Sequence, residues 1–368
     1  MLQSFLFKIK DHRRAQGRRY LLGHLLLFSI LAILSGAVSY RKIHLFIQTH
    51  YETLNELFGL NWKQVPAHTT VREIIQSTSS ADLEDQFRAY SAALAVQDTA
   101  KPFVSFDGKV LRGSFDHFRD QQALQVLSAF LGSPRLILAH EEIAEKTNEI
   151  PTAQELFMKL GLSGYIFTLD ALHCQEKTLE IAKDTGNDVL VQVKENQKTL
   201  FHDCQTIAQM AAPQDRYQEP TTKARNRIES RKVEVFRPLN LTHADKWSLV
   251  EVIVKVDRRR LVFDAKAKVW QPSDETSFYI STTVLSARTF SEGIREHWQI
   301  ENGDHHVRDV TLAEDQSRIR INPHLFAKLR SFALNILRVN HVENVSQELF
   351  NNCMNLHHVL NYIGVREN

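Results

Sequence analysis

Three carboxylates in this chain stand where chemistry is easiest to build. Asp107 closes the apolar run 102–106 and is followed by Gly108; Asp170 closes the run 165–169. Glu301 lies inside residues 294–310, a stretch with no proline and one late glycine. If that stretch is helical, Ile294, His297, Glu301, Asp304, His305 and Arg308 share one face. Such a cluster is expensive to bury without a purpose. Trp298 and Ile300 on the other side imply packing, so the polar face reads as the lining of a cleft. Two aspartates at neighbouring strand ends, joined by a glutamate on a helix, make a hard-oxygen site suited to Mg2+, with Mn2+ as a second choice. Clustered carboxylates repel, and bound divalent ions remove that repulsion. A pair of ions about 4 Å apart can activate a water or a 3′-hydroxyl and stabilise the leaving oxygen, which is phosphodiester hydrolysis or transfer. Taken singly, Asp107 reads as an Asp-Gly turn and Asp170 as a helix cap. Together, in that strand order, they favour metal. His297, Glu301 and His305, four apart, offer a zinc alternative, which finds no clear fourth ligand and leaves the aspartates unexplained.

The elements that must position these groups follow from periodicity. Residues 1–97 read as an all-α domain, with helical spacing from Leu21 to Phe58, a helix capped by Thr69-Thr70 and starting at Val71, and another from residue 81 or 82 to 94. Its short helices beside a basic arm suit a DNA-reading module or a plain helical domain equally. From residue 98 the pattern changes. Strands at 102–106, 124–131 and 135–139 form a meander, followed by helix 153–160, strand 165–169, helix 175–183 and strand 189–193. That order is α/β and ribonuclease-H-like, with the first and fourth strands side by side. Residues 198–285 turn β-rich, with strands at 232–236, 249–256 and 278–284, and read as an insertion within a catalytic domain of 98–340. A strong helix at 323–339 packs across the sheet, and 341–368 is a tail with one short helix at 345–362.

The 368 residues allow two or three domains and an ample core. Net charge is only +2, so affinity for a polyanion must come from local patches. Three basic runs supply them: Lys8, Lys10, Arg13, Arg14, Arg18 and Arg19; Lys223, Arg225, Arg227, Arg231 and Lys232; and Arg318, Arg320, Lys328 and Arg330. Cys174, Cys204 and Cys353 are too few and too scattered for a disulfide framework, which points to a reducing cytoplasm. The apolar run 21–38 is nearly long enough to span a bilayer. His24, Ser29, Ser35 and Gly36 interrupt it, so it reads as a buried core helix and not as a membrane anchor.

Several motifs in order resemble the DDE transposases of bacterial insertion sequences, in the ISAs family branch that includes the H-repeat-associated proteins. They are Phe106-Asp107-Gly108-Lys109-Val110-Leu111-Arg112-Gly113-Ser114, Glu145-Lys146-Thr147-Asn148-Glu149-Ile150, and Thr168-Leu169-Asp170-Ala171-Leu172-His173-Cys174-Gln175. Val193-Lys194-Glu195-Asn196-Gln197, residues 294–310 and Glu314-Asp315-Gln316-Ser317-Arg318-Ile319-Arg320 complete the set. The resemblance implies a catalytic triad of Asp107, Asp170 and Glu301 holding Mg2+ or Mn2+. It implies DNA partners, the inverted-repeat element ends and the target, and at least a homodimer to pair two ends. Lys109, Arg112, Lys146, Lys194, Arg295 and Arg308 beside these motifs are candidate phosphate contacts. Asn148, Asn196, His297, Trp298, Asn302 and His305 are further DNA-binding candidates. The chain departs from the broader group by carrying Ile294 and His297 where a Tyr and an Arg precede the Glu. The expected activity is metal-dependent strand cleavage and transfer; a non-transposing DNA-binding relic and a cellular nuclease on the same fold remain alternatives.

Overall fold

A computed structural model describes residues 1–95, 101–115, 122–143, 149–224, 226–264 and 266–365. The chain forms two compact units: Met1–Asp98, Gly108–Glu149 and Ile300–Asn368 make the first, Thr99–Asp107 and Ile150–Gln299 the second. The first unit opens with α1 (Leu2–Leu6) and α2 (Leu22–Leu34). α2 is apolar on every side and is buried along its whole length, as the interrupted apolar run implies. The stretch Ala15–Leu34 is long and apolar enough to cross a membrane by length and composition, and most of it is buried. The amphipathic α3 (Tyr40–Thr49) buries Tyr40, Ile43, Phe46 and Ile47. α4 (Tyr51–Leu57), α5 (His68–Gln76) and α6 (Ser80–Leu94) follow. α5 starts three residues before Val71, and Ser79 caps α6 by accepting a hydrogen bond from the Asp82 amide at 3.2 Å.

β1 (Phe103–Val110) runs through Asp107 instead of ending there, and the chain passes from the second unit to the first within it. In the first unit β2 (Gln125–Leu131) and β3 (Leu136–Ile143) pair antiparallel. α7 (Glu149–Leu160), β4 (Ile166–Leu169), α8 (Glu176–Asp184), β5 (Asp188–Val193) and α9 (Lys198–Met210) come next. β6 (Asp215–Gln218), β7 (Thr222–Ala224), β8 (Arg227–Phe236), β9 (Val252–Asp264) and β10 (Val269–Ser281) lead to α10 (Ala287–Gln299). The second unit is a mixed sheet in the order β1-β4-β5-β10-β9-β8-β6, with β7 on β8. β1, β4 and β5 are parallel, and β10 joins antiparallel to β5. The β-rich stretch therefore begins with a helix, and its strands extend the sheet that carries the aspartates. α10 lays Ala287, Phe290 and Ile294, spaced three and four apart, on a core of Phe103, Ile166, Leu190, Val235 and Val254. Gly293 is needed for that approach, because a Cβ there would meet the Phe103 ring at 2.4 Å.

Beyond α10 the winding changes. Ile300–His305 and Val307–Thr311 are π-helical, and the Leu312 amide donates to the Val307 carbonyl five residues back at 3.0 Å. α11 (Pro323–Val339) matches its expected limits, with Pro in its first turn. The tail forms two helices, α12 (Val345–Met354) and α13 (Leu356–Leu360), where one was expected. α11 packs on α2, α6 and β3. Its buried Asn335 donates to the Ile137 carbonyl at 2.8 Å and accepts from the Ile137 amide at 2.9 Å, fixing α11 to β3.

Candidate active site

β1 and β4 are parallel neighbours in the register Ser105↔Thr168. Two residues further on, Asp107 and Asp170 are therefore level. Side chains alternate along a strand, so Ser105 and Asp107 share a face of β1. Asp170 is still extended (φ −74°, ψ 175°), which keeps it on the face of Thr168. These are the same face, because Thr168 donates its hydroxyl to Ser105 at 2.8 Å. The opposite face is filled by Phe106, Phe167 and Phe157 of α7, with ring centroids 4.6–5.0 Å apart. The two aspartates thus stand on a rigid edge. Asp107 is half-buried and Asp170 exposed, and one Asp170 oxygen accepts from the Leu172 amide at 2.9 Å. Asn196, expected at DNA, instead donates to the Ala171 carbonyl at 2.6 Å, and Gln197 donates to that of Cys174 at 2.8 Å. The motif after β5 holds the turn that presents Asp170.

His297 on α10 meets the Thr168 hydroxyl through Nδ1 at 3.0 Å. Burial pushes its pKa down to about 4, against the pull of Asp170, so at pH 7 the ring is neutral and is no cation for phosphate. Thr168→Val would strand both Ser105 and His297. The expected loss is about 1–3 kcal/mol of stability with the secondary structure retained, read by denaturant melts; an unchanged midpoint would remove Thr168 from this role.

Glu301 belongs to the first unit, exposed on the π-helical stretch. The expected single helical face over 294–310 is corrected here: wider winding rotates successive residues away from i,i+4 alignment. The zinc alternative needed that alignment for His297, Glu301 and His305. Among the described residues no group of three or more His, Cys, Asp or Glu is placed to hold a metal ion.

What the stretch does build is a buried ion cluster. Arg308, 1% exposed, pairs with Glu314 at 3.0 Å and Asp304 at 3.6 Å. Arg330 lies 3.6 Å from Glu314, and Lys109 pairs with Asp309 and, at 3.6 Å, with Glu314. Burial pushes the Asp304 carboxyl up to about 6, against the pull of Arg308. Burial opposes the Glu314 charge, but Arg308 and Arg330 hold that carboxyl below its usual range. Burial, Arg308 and Lys109 push His305 down to about 3. Arg338 donates to the Gly303 carbonyl at 2.5 Å, two residues from Glu301.

The candidate phosphate contacts divide accordingly. Lys109 and Arg308 are buried among carboxylates, which leaves their charges no outlet to a phosphate. Arg295 grips Glu219, with Nε 2.9 Å from each carboxylate oxygen. Arg112 is exposed, 3.5 Å from Asp315; Lys194 and Trp298 are also exposed. Lys146, Asn148 and Arg225, and the side chain of Asn302, lie outside the described residues. Sequence reasoning missed Ser105 and Thr168, whose signal was one hydroxyl residue two positions before each aspartate. Glu149, part of the motif 145–150, has its carboxylate 2.8 Å from where a Cβ on Gly108 would stand.

The family described as Transposase DDE domain matches residues 99–336, and the DDE_Tnp_1-associated family matches residues 3–91. Escherichia coli K12 protein YbfL is 31% identical over 344 residues, covering 91% of this chain and 90% of YbfL. YhhI of the same strain, an H repeat-associated protein named as a transposase, is 30% identical with the same coverage. Among solved structures, a piggyBac transposase synaptic complex with hairpin DNA superposes with a TM-score of 0.41 at 9% identity, over 96% of this chain and 75% of that one. A likeness at that level fixes neither fold nor ligand. The family match spans well over half of the chain and the curated relatives align nearly end to end, so the chain belongs to the DDE transposases of bacterial insertion sequences.

Proposed function

We propose that this protein cuts DNA at the inverted-repeat ends of its element and joins the freed 3′-hydroxyl to target DNA, with Asp107, Asp170 and Glu301 as its catalytic carboxylates. One observation carries the reading: the register of β1 and β4 sets Asp107 and Asp170 level on one face. The donor chemistry fits a hard divalent cation, since the pair offers carboxylate oxygens and the His297 Nδ1 beside them is engaged by Thr168. Asp107, Asp170 and Glu301 would hold Mg2+ or Mn2+, which when bound supplies activation of the attacking hydroxyl and charge for the leaving oxygen. The chain's own part is orientation. The Leu172 amide fixes the Asp170 carboxylate, and Asn196 and Gln197 fix the turn behind it. Among the described residues, Arg112, Lys194 and Trp298, exposed near the motifs, are the candidates for contact with phosphate and base. Residues 1–97 are assigned to the accompanying helical domain and 98–340 to the ribonuclease-H-like catalytic domain. Pairing two ends calls for at least a dimer, and the free Cys174, Cys204 and Cys353 suit the cytoplasm.

The test is a cleavage and strand-transfer assay on duplexes carrying the element ends, in Mg2+, Mn2+, Zn2+ or chelator. Nicking and transfer should occur with Mg2+ or Mn2+ and stop on chelation. Activity that survives chelation, or returns only with zinc, overturns the assignment; tight binding with no cutting in Mg2+ or Mn2+ marks a relic.

The basic N-terminal arm gives a second expectation. Arg13 is tied to Asp11 and the Tyr20 carbonyl, and Arg18 to the Asp11 and Arg13 carbonyls, so these two build the arm. Lys10, Arg14 and Arg19 are exposed. Reversing these three to Glu should weaken DNA binding by roughly tenfold or more at low salt and flatten its salt dependence. Equal affinity at low and high salt would sink this role.

A further inference from the structure

Within the first unit, residues of α3, α5 and the segment after the π-helical stretch line a cavity of about 670 Å³. Arg41, Arg72, Arg318 and His68 line it, and none of the lining residues is Asp or Glu. All three arginines are exposed. Arg72 comes no closer than 3.9 Å to Glu73, an exposed pair that holds it weakly. Tyr40 opens α3 and His68 opens α5, and neither helix has an acidic residue in its first turn. The positive ends of two helix dipoles therefore add to the field of the arginines.

The wall carrying Arg318 is braced. Ser317 donates its amide to the Glu314 carbonyl at 3.0 Å, and Glu314 is anchored in the buried ion cluster. The Ser317 carbonyl oxygen lies 1.8 Å from where a Cβ on Gly113 would stand, so only glycine permits the approach. In a chain of net charge +2, three arginines around one cavity without a carboxylate are a local concentration of charge. Arginine's planar fork matches phosphate oxygens in pairs.

We propose that this cavity receives backbone phosphates of the substrate DNA, gripped jointly by α3, α5 and the 313–319 segment. The inference rests on the transposase function proposed above and assigns it a sequence-independent anchor. Arginine side chains and helix N-termini at phosphates fix the register of a duplex without reading its bases.

The experiment compares wild type with two triple variants, Arg41→Gln/Arg72→Gln/Arg318→Gln and Arg41→Lys/Arg72→Lys/Arg318→Lys. Anisotropy titrations use an element-end duplex and a scrambled duplex from 50 to 300 mM salt, beside thermal melts. The Gln triple should bind both duplexes tenfold or more weakly at low salt. Its slope of log affinity against log salt should fall by about 0.9 for each phosphate that is no longer neutralised. The Lys triple should keep most of the slope and lose part of the affinity. If the Gln triple melts early, the single Gln variants carry the same test, each with a slope lower by about one. Wild-type binding with unchanged affinity and slope in the Gln variants overturns the cavity's role. So does inorganic phosphate that raises the wild-type melting temperature at constant ionic strength while the Gln triple binds DNA normally, since that marks a small-anion site. A wild type that binds neither duplex at low salt overturns the proposed function itself, and the cavity's role with it.

Discussion

Asp170→Asn is expected to lose strand cleavage by roughly 10³-fold or more while the protein stays folded. Asparagine is the informative replacement. It retains an oxygen to accept from the Leu172 amide, so the turn stays capped and only the charge is removed. Asp107→Asn and Glu301→Gln should be as severe, and each single loss nearly equal to the triple, because groups acting as one unit are not additive. Stability should move the other way. Asp107 on β1 and Asp170 just past the end of β4 follow the paired Ser105 and Thr168 by two residues each, so neutralising one removes a like charge beside the other, and the melting temperature without metal should hold or rise slightly. Mg2+ or Mn2+ should raise the melting temperature of the wild type but not of the variants, since only a ligand of the native state stabilises it. The measurements are melts with and without metal beside the cleavage assay. An Asp170→Asn protein that still cuts, or whose melting temperature responds to metal as the wild type does, would remove Asp170 from the site.

The parts of this site legible in the sequence are those governed by short-range rules. Short apolar runs of strand-forming residues, 102–106 and 165–169, marked the two strands that carry the aspartates, although β1 continues past Asp107 to Val110. α11 was legible to the residue because Pro323 can open a helix and its apolar positions repeat cleanly. The rest depends on partners far along the chain. Lys109 in a motif reads as a surface cation until Asp309 and Glu314, some two hundred residues on, enclose it. Nothing local says that β10 will pair with β5 and so place the β-rich stretch in the same sheet. The π-helical turns escaped notice because a reading at 3.6 residues per turn presumes the winding it looks for. The contact between Asp304 and Arg308, four apart and both buried, is one that the 3.6-residue reading does anticipate, whereas the five-residue bond from the Leu312 amide to the Val307 carbonyl is not.

Arg308→Leu provides the sharpest test of that buried cluster. Replacing it leaves Asp304 and Glu314 in the interior without their main counter-charge, and the expected cost is about 3–5 kcal/mol. The sign of its pH dependence follows from Asp304. Burial already raises that carboxyl to about 6, and loss of Arg308 raises it further. A carboxyl whose folded pKa lies above its unfolded value stabilises fully below the unfolded pKa and loses that contribution as pH rises through the folded one. The variant's deficit should therefore be smallest near pH 4 and widen as pH passes 6. Adding Glu314→Gln should recover part of the loss, measured as a double-mutant cycle. Cleavage should also fall, because Glu301 and Arg308 lie on consecutive π-helical segments and the cluster holds Asp304 of the first to Arg308 of the second. The opposite pattern has a definite meaning. If Arg308→Leu keeps its melting temperature at pH 8 but lowers the salt slope of DNA binding by about one, Arg308 faces phosphate after all. The buried pairing with Glu314 would then not be its working state.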